Sequence, residues 1–440
     1  MNENKVEVGE SSLPESWQMV RIDEIGEVVT GTTPKTSKDE YYGGEIPFVR
    51  PAELGSGRRP DRTEKTLTSE GLNVARPLPP GSVLVSCIGL LGKVAQANKI
   101  SATNQQINAV IPGYKVDQGF AYWVLHLARV KMKRLAGLQV VPIVNKTQFS
   151  GIELPVPPIA EQRRIADVLD TVDAAIRETD AVIAKQEQVK SGLLQDLLTR
   201  GLDANGRLRD PEANPGAFRE TELARVPEDW SIRPLREVAD IGSGLTINRS
   251  RTKENPVKIP YLRVANVQDG YLDLEKVKTV EVSASKVSRY LLQEGDVLMT
   301  EGGDFDKLGR GTVWEGQVKP CAHQNHIFRV RTDRSALLPH FLSALSGSSY
   351  GKRYFIRNSK QTTNLATINQ TQLKRFPVLC PPIEEQRQIV GRLSAFEKLL
   401  TDERAYQVKL QRLKTGLMQD LLTGRVRVPE AEAHINKVIT

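Results

Sequence analysis

The sequence predicts an α+β protein: two α/β domains related by an internal pseudo-two-fold repeat, separated by two long helices forming an antiparallel coiled coil. Three observations carry this expectation. Residues 157–201 match residues 381–425 without a gap at a displacement of 224, and 18 of the 45 positions are identical. A second repeat opens each half at a displacement of 213. Here Leu13-Pro14-Glu15-Ser16-Trp17 returns as Val226-Pro227-Glu228-Asp229-Trp230, and Ile46-Pro47-Phe48-Val49-Arg50 as Ile259-Pro260-Tyr261-Leu262-Arg263. Finally, apolar residues of the gap-free repeat recur in alternating steps of four and three, the spacing of a coiled-coil seam.

Taken in order, the expected parts are a first domain (13–156), a central long helix (157–200), a linker (201–225), a second domain (226–380), a C-terminal long helix (381–423) and a tail (424–440). In the domains, Val83–Ser86 after Pro80-Gly81 and Val297–Thr300 after Gly295-Asp296 read as strands that follow tight turns. Ile107–Ile111 and Ile327–Val330 read as another matched strand, and Phe120–Leu135 and Leu338–Ser346 as helices. At Asn145-Lys146-Thr147-Gln148 and Asn369-Gln370-Thr371-Gln372 the displacement has grown to 224, so the second half is 11 residues longer and the domain interiors have diverged.

Each long helix begins after a proline pair, Pro157-Pro158 or Pro381-Pro382, because proline fits only the first turn of a helix. The first seam is Ile165, Leu169, Val172, Ile176, Ile183, Leu193 and Leu197; the second is Ile389, Leu393, Phe396, Leu400, Leu410, Leu417 and Leu421. Polar residues occupy the middle of each seam, Thr179, Gln186 and Lys190 in one copy and Glu403, Gln407 and Lys414 in the other, where they can fix register and partner. About 38 residues give a rod of roughly 57 Å. Gly192 and Gly416 interrupt the pattern, as a local kink or, by preference, where a second backbone approaches closely.

Composition bounds the function. A chain of 440 residues with 39% hydrophobic and 26% charged residues is expected to be a soluble globular protein. Without an apolar run of 18 residues, neither a secretion signal nor a membrane span is expected. Cys87, Cys321 and Cys380, odd in number and without a C-x-x-C pair, suggest buried free thiols in a cytoplasmic protein. The net charge of +8 is uneven: residues 211–380 carry 25 basic against 19 acidic side chains, residues 1–155 only 18 against 16. A polyanion-facing surface is therefore expected chiefly on the second domain.

Candidate nucleic-acid contacts follow from residue type. The hydroxyl-rich basic loop from Thr30 to Lys38 offers Thr32, Thr33, Lys35 and Lys38, and its counterpart after Gly242-Ser243-Gly244 offers Arg249, Arg251 and Lys253. Arg58, Arg59 and Arg62 form a further cluster, as does Lys131-x-Lys133-Arg134, which reads as a solvated face. Tyr350-Gly351-Lys352-Arg353-Tyr354-Phe355-Ile356-Arg357 interleaves aromatic and basic residues; it reads as a stacking surface using Lys352, Arg353 and Arg357, or as an amphipathic helix with a basic edge. Catalytic signatures are missing. Gly347-x-x-x-Gly351-Lys352-Arg353 lacks the spacing and hydroxyl of a P-loop, and there is no acid-Pro-Pro-aromatic motif of amino-methyltransferases. Cys321-x-His323-x-x-His326 has superficial metal-ligand spacing, but its counterpart at 104–110 has neither Cys nor His, so no metal site is expected.

The P-P-I-x-E-Q-R helix start, the Q-D-L-L-T helix end and the stretch from Thr30-Gly31-Thr32-Thr33-Pro34 to Tyr42-Gly43-Gly44-Glu45-Ile46-Pro47 closely resemble type I restriction enzyme specificity subunits, from about residue 13 to 428. That resemblance implies two target-recognition domains, each reading one half of a bipartite double-stranded DNA sequence. It implies as partners two methyltransferase subunits that use S-adenosylmethionine on adenine N6, and restriction/translocase subunits that use ATP and Mg2+. No cofactor is then expected on this chain, and its expected place is the cytoplasm of a bacterium or archaeon. The second loop departs from the family's G-x-T-P pattern, reading Gly244-Leu245-Thr246-Ile247. Two other classes remain open at this stage, a stand-alone DNA-binding or coiled-coil scaffold protein and a nuclease.

Overall fold

A computed structural model describes residues 13–55, 57–60, 62–137, 140–246, 255–303, 308–309, 311–361 and 366–428. The chain forms two compact units, one of residues 1–181 with 404–440 and the other of residues 182–403. The long helices, Ile159–Thr199 and Ile383–Leu421, are therefore not free-standing connectors. Each unit takes one globular domain, the first part of one long helix and the last part of the other.

In the first unit a four-stranded antiparallel sheet runs in the order Gly26–Thr30, Ile107–Pro112, Val83–Ser86 and Val94–Gln96. A three-stranded sheet sets Tyr42–Val49 between Lys65–Leu67 and the parallel Ala102–Thr103. The second unit repeats both: Ala239–Ser243, Ile327–Thr332, Val297–Thr300 and Gly311–Val313, with Pro256–Leu262 between Lys278–Ser283 and the parallel Ala322–His323. Each domain is closed by pairing its first strand with its last, Gln18–Arg21 with Glu153–Val156 and Ser231–Pro234 with Pro377–Cys380. That pairing delivers the chain to the proline pair and the long helix. The repeated Asn-x-Thr-Gln is a capping box: Asn145 and Gln148, like Asn369 and Gln372, each accept the other's backbone N–H at 2.7–3.1 Å. All three cysteines are free and buried, and burial pushes the Cys87 and Cys321 thiols up to about 12.

The seams pair antiparallel within each unit. In the first, Ile165, Leu169, Val172 and Ile176 share one core with Leu410, Leu417 and Leu421 and with Phe120, Trp123 and Phe149 of the domain. In the second, Leu193 and Leu197 pack with Ile389, Leu393 and the domain residues Trp230 and Phe341. Ile183 and Leu400 are also buried, and Phe396 is half-buried. Three of the six polar seam residues find partners on the facing helix, whereas Thr179 donates to the Ala175 carbonyl of its own helix and the Gln186 amide oxygen is buried with no partner among the described residues. Lys414 pairs with Asp173 and the Gln407 amide donates to Asp180 in the first unit, while Lys190 pairs with Glu397 in the second. In all three pairs the residue numbers sum to 587, so the same antiparallel register holds in both units. The two ion pairs are also repeat-equivalent, since a displacement of 224 carries Asp173 onto Glu397 and Lys190 onto Lys414. The expected close backbone approach at Gly192 and Gly416 is not found: a Cβ on either would meet nothing within 4 Å, and the helices run through both positions.

The doubled Glu-Gln-Arg motif joins helix to domain through similar contacts in both units. Glu161 accepts the Trp17 indole N–H at 3.2 Å and both a 2.8 Å and a 3.0 Å bond from Arg427. Glu385 accepts the Trp230 indole at 3.2 Å, Arg209 at 3.1 and 3.3 Å, and the Leu202 N–H at 2.7 Å. Each arginine follows the end of the facing helix, so the clamp ties a helix start to its neighbour's finish. Burial raises the Glu385 carboxyl above its ordinary range despite these donors. Next to each glutamate, Gln162 accepts Asp117 N–H and donates to the Pro157 carbonyl, and Gln386 accepts Leu338 N–H and donates to the Pro381 carbonyl. The chain leaves each helix through a left-handed glycine packed on the same tryptophan, Gly201 (φ +66°) on Trp230 and Gly424 (φ +72°) on Trp17.

Candidate nucleic-acid interface

In the first unit, residues 31–38 leave the strand Gly26–Thr30 and cross the turn that precedes Ile107–Pro112. Gly31 donates to the Ile107 carbonyl at 3.0 Å and Thr32 to the Thr103 carbonyl at 2.8 Å. A Cβ on Gly31 would lie 2.2 Å from the Asn104 carbonyl oxygen, so only glycine allows this approach. Thr33 then donates its hydroxyl to the Gln105 amide oxygen at 2.6 Å, and Tyr42 donates to the Pro34 carbonyl at 2.7 Å. The loop is thus held on both sides, with Thr33, Lys35 and Lys38 exposed and Thr32 half-buried. Lys38 pairs with Glu40 at 3.1 Å and lies over the Tyr41 ring.

The second unit repeats the crossing with other side chains. Leu245 donates to the His323 carbonyl at 2.8 Å and accepts from Asn325 N–H at 3.0 Å, and a Cβ on Gly244 would lie 2.2 Å from the His323 carbonyl oxygen. The position of Thr32 is here the buried Leu245, which offers no hydroxyl. Arg249, Arg251 and Lys253 lie outside the described residues.

The remaining candidates divide. Arg59 and Arg62 are exposed. Arg58 is not part of their patch: its guanidinium pairs with Asp170 of the long helix, bonds Gln96 at 2.9 Å and stacks over Tyr122, leaving its side chain 13% exposed. Its charge is committed to holding the domain on the helix. The interleaved stretch is the helix Ser349–Asn358, and its aromatic residues Tyr350, Tyr354 and Phe355 are buried around Phe376. The stacking surface is therefore overturned in favour of an amphipathic helix with a basic edge. On that edge Arg353 is exposed, Lys352 faces Asp269 at 3.7 Å and Arg357 faces Glu222 at 3.3 Å.

Sequence reasoning missed the turn against which each loop rests. Gln105 presents an exposed amide beside Thr33, and His326 an exposed ring bonded to Glu301 at 2.6 Å. Glutamine amides match the adenine edge in the major groove. The signal was the repeat of Gln105 at Gln324, legible as a repeat but not as a contact.

Duplicated α/β domains, each closed onto a long helix, with a hydroxyl-bearing loop held by hydrogen bonds in the first, define a recognition protein built from two like units. The model of the type I restriction modification DNA specificity domain matches residues 14–186 and again residues 227–410. The chain belongs to that family. It is 26% identical to the type I restriction enzyme MjaVIII specificity subunit of Methanocaldococcus jannaschii over 97% of this chain and 96% of that one. It is 25% identical to the EcoKI specificity subunit of Escherichia coli K12 over 87% and 82%. Among solved structures, a chain of a type I R-M complex shares the fold with a TM-score of 0.59 at 17% identity, covering 94% of this chain and 99% of that one. The S subunit from M. genitalium does so with a TM-score of 0.54 at 14% identity, covering 95% and 98%.

Proposed function

We propose that this chain is the DNA-recognition subunit of a type I restriction-modification complex and reads an asymmetric, bipartite double-stranded site. The observation that carries the reading is the contrast inside the repeat. The Trp–Glu–Arg clamp and the Gln contact recur in both units, whereas the loop surfaces differ, with exposed Thr33 and Gln105 beside the half-buried Thr32 in one, and exposed His326 beside the half-buried Asn325 and buried Leu245 in the other. Like scaffolds with unlike reading surfaces suit two unlike half-sites. Thr33, Lys35, Lys38, Arg59 and Arg62 are the proposed contacts of the first unit, and Lys352, Arg353 and Arg357 of the second.

The near-equivalent clamps offer two similar platforms to two copies of an adenine-N6 methyltransferase subunit. S-adenosylmethionine would reside there, ATP and Mg2+ on the translocase/nuclease subunits, and this chain would direct the chemistry without performing it. Among the described residues no helix is long and apolar enough to cross a membrane, and a cytoplasmic complex is the proposed setting. Exchanging residues 13–155 for those of another family member tests the reading by methylome mapping. One half-site changes and the other stays; a change in both refutes it.

A further inference from the structure

In the first unit a cleft of about 610 Å3 lies between the turn after Val83–Ser86, the helix Ala128–Ala136 and the residues Gly137 and Pro142. Its charged lining residues are Lys93, Arg129 and Lys133, with no acidic residue among them. The helix adds Lys131 and Arg134 and has no Asp or Glu of its own. This concentration of cations stands out in a domain that is otherwise nearly balanced in charge.

Exposed apolar side chains stand beside it: Leu90, which lines the cleft, is 65% exposed, and Val140 and Val141, just before the lining residue Pro142, are fully and 52% exposed. The turn that carries Leu90 is fixed by hydrogen bonds. Gly89 donates to the Pro142 carbonyl and Val144 to the Cys87 carbonyl, both at 2.9 Å, zipping the two segments together. Across the turn, Gly92 donates to the Ser86 carbonyl at 2.9 Å, and the Ser86 hydroxyl accepts Lys93 N–H at 2.9 Å and donates to the Leu90 carbonyl. This closed turn holds Leu90 out in water beside three cations, and with the nearby Val140 and Val141 it makes an exposed apolar group of the kind that marks an interaction site.

We infer that this cleft is a second DNA-contacting surface of the first unit, in which Lys93, Arg129 and Lys133 take backbone phosphates while Leu90 and Val140 rest against the sugar and base edges of a groove. The inference rests on the DNA-recognition reading above and adds a surface that the hydroxyl-rich loop does not include. Charge decides the occupant. Lysine is depleted from the cores of protein–protein interfaces, whereas paired cations flanked by apolar wedges are the usual means of holding a duplex by its backbone and minor groove.

The test uses the full chain co-purified with its methyltransferase subunit, and 30-base-pair duplexes with and without the mapped target. Lys93→Ala with Lys133→Ala is expected to weaken binding to both duplexes and flatten the plot of log affinity against log salt by about 0.9 per lost phosphate contact, close to 2 in all. Leu90→Ser is expected to weaken binding with the salt slope unchanged. Thermal unfolding and methyltransferase co-purification should match the parent for both variants. An unaltered slope and affinity in the double-lysine variant overturns the inference, and so does loss of methyltransferase co-purification, which makes the cleft a protein-docking surface. Failure of the parent complex to prefer its target duplex is a different result and refutes the DNA-recognition reading itself.

Discussion

Replacing Glu385 by alanine should destabilise the second unit far more than the same change at Glu161 destabilises the first, although both belong to one repeated motif. The Glu385 side chain is 9% exposed and its partner Arg209 is 18% exposed, whereas Glu161 is 14% exposed but faces an Arg427 that is half in solvent. Glu385→Ala leaves the buried Trp230 and Leu202 N–H groups without their acceptor and strips Arg209 of one of its two carboxylates, Asp229 at 3.0 Å remaining. Breaking a buried pair of this kind costs about 3–5 kcal/mol. For a unit of this size that lowers the midpoint by on the order of 10 °C. In Glu161→Ala the exposed Arg427 regains water, so the loss should be about 1–2 kcal/mol, chiefly the Trp17 hydrogen bond. Differential scanning calorimetry, with hydrogen exchange at Trp230 and Trp17 to assign each transition, measures both. Equal losses, or a larger loss at Glu161, would refute the argument that burial of the arginine sets the strength of the clamp.

Glycine positions give a contrast in sign. Gly192→Ala and Gly416→Ala enter open space inside helices and should each stabilise by about 0.5–1 kcal/mol in denaturant titration, whereas Gly201→Ala, forced onto Trp230 and Glu385 at 2.4 Å with φ at +66°, should destabilise by more than about 1 kcal/mol. Acidification should weaken the second unit through His323. Its buried ring has a pKa lowered to about 4, first by burial and then by Arg329, so its contribution is intact above the unfolded value near 6.5 and is lost as pH falls towards 4, about 3 kcal/mol in all. His323→Thr, the residue of the matching strand position in the first unit, should flatten stability against pH in that window; an unchanged slope counts against this assignment. Inserting one heptad near Ile183 and another near Gln407 lengthens each helix by about 10 Å, and at 3.4 Å per base pair the spacer in the methylated site should grow by up to about 3 base pairs. An active complex with an unaltered spacer would sink that idea.

Much of the fold was legible because its signals are periodic or duplicated. Seam residues such as Leu169 and Leu417 stand out at heptad spacing, and the strands Val83–Ser86 and Val297–Thr300 coincide with the observed ones. Contacts set by a single long-range pairing were not legible. Arg58 reads as one of three surface arginines until Asp170, 112 residues away, is seen to claim it. Tyr350, Tyr354 and Phe355 alternate with cations in sequence, but helical geometry sends them to the core and the cations outward. The same holds for Glu161 and Glu385: their recurrence was plain, while their purpose depends on arginines that follow the other helix.

The repeat therefore separates two kinds of constraint. At the clamps the two halves keep the same chemistry, tryptophan to glutamate and glutamine to the first backbone groups, and lysine meets a carboxylate across the seam in both, whereas Asp170, which takes Arg58 in the first unit, is Ser394 at the matching position. The loop side chains differ, and the half-buried Thr32 becomes the buried Leu245, although a close glycine crossing of the facing turn is retained beneath it at Gly31 and Gly244. Drift alone would erode buried and exposed positions by different amounts, but it would not preserve a close glycine crossing under a loop whose side chains had lost their use. The retained crossing implies that loop position still matters after loop chemistry has changed, as expected when each domain must present different groups at the same place on a duplex.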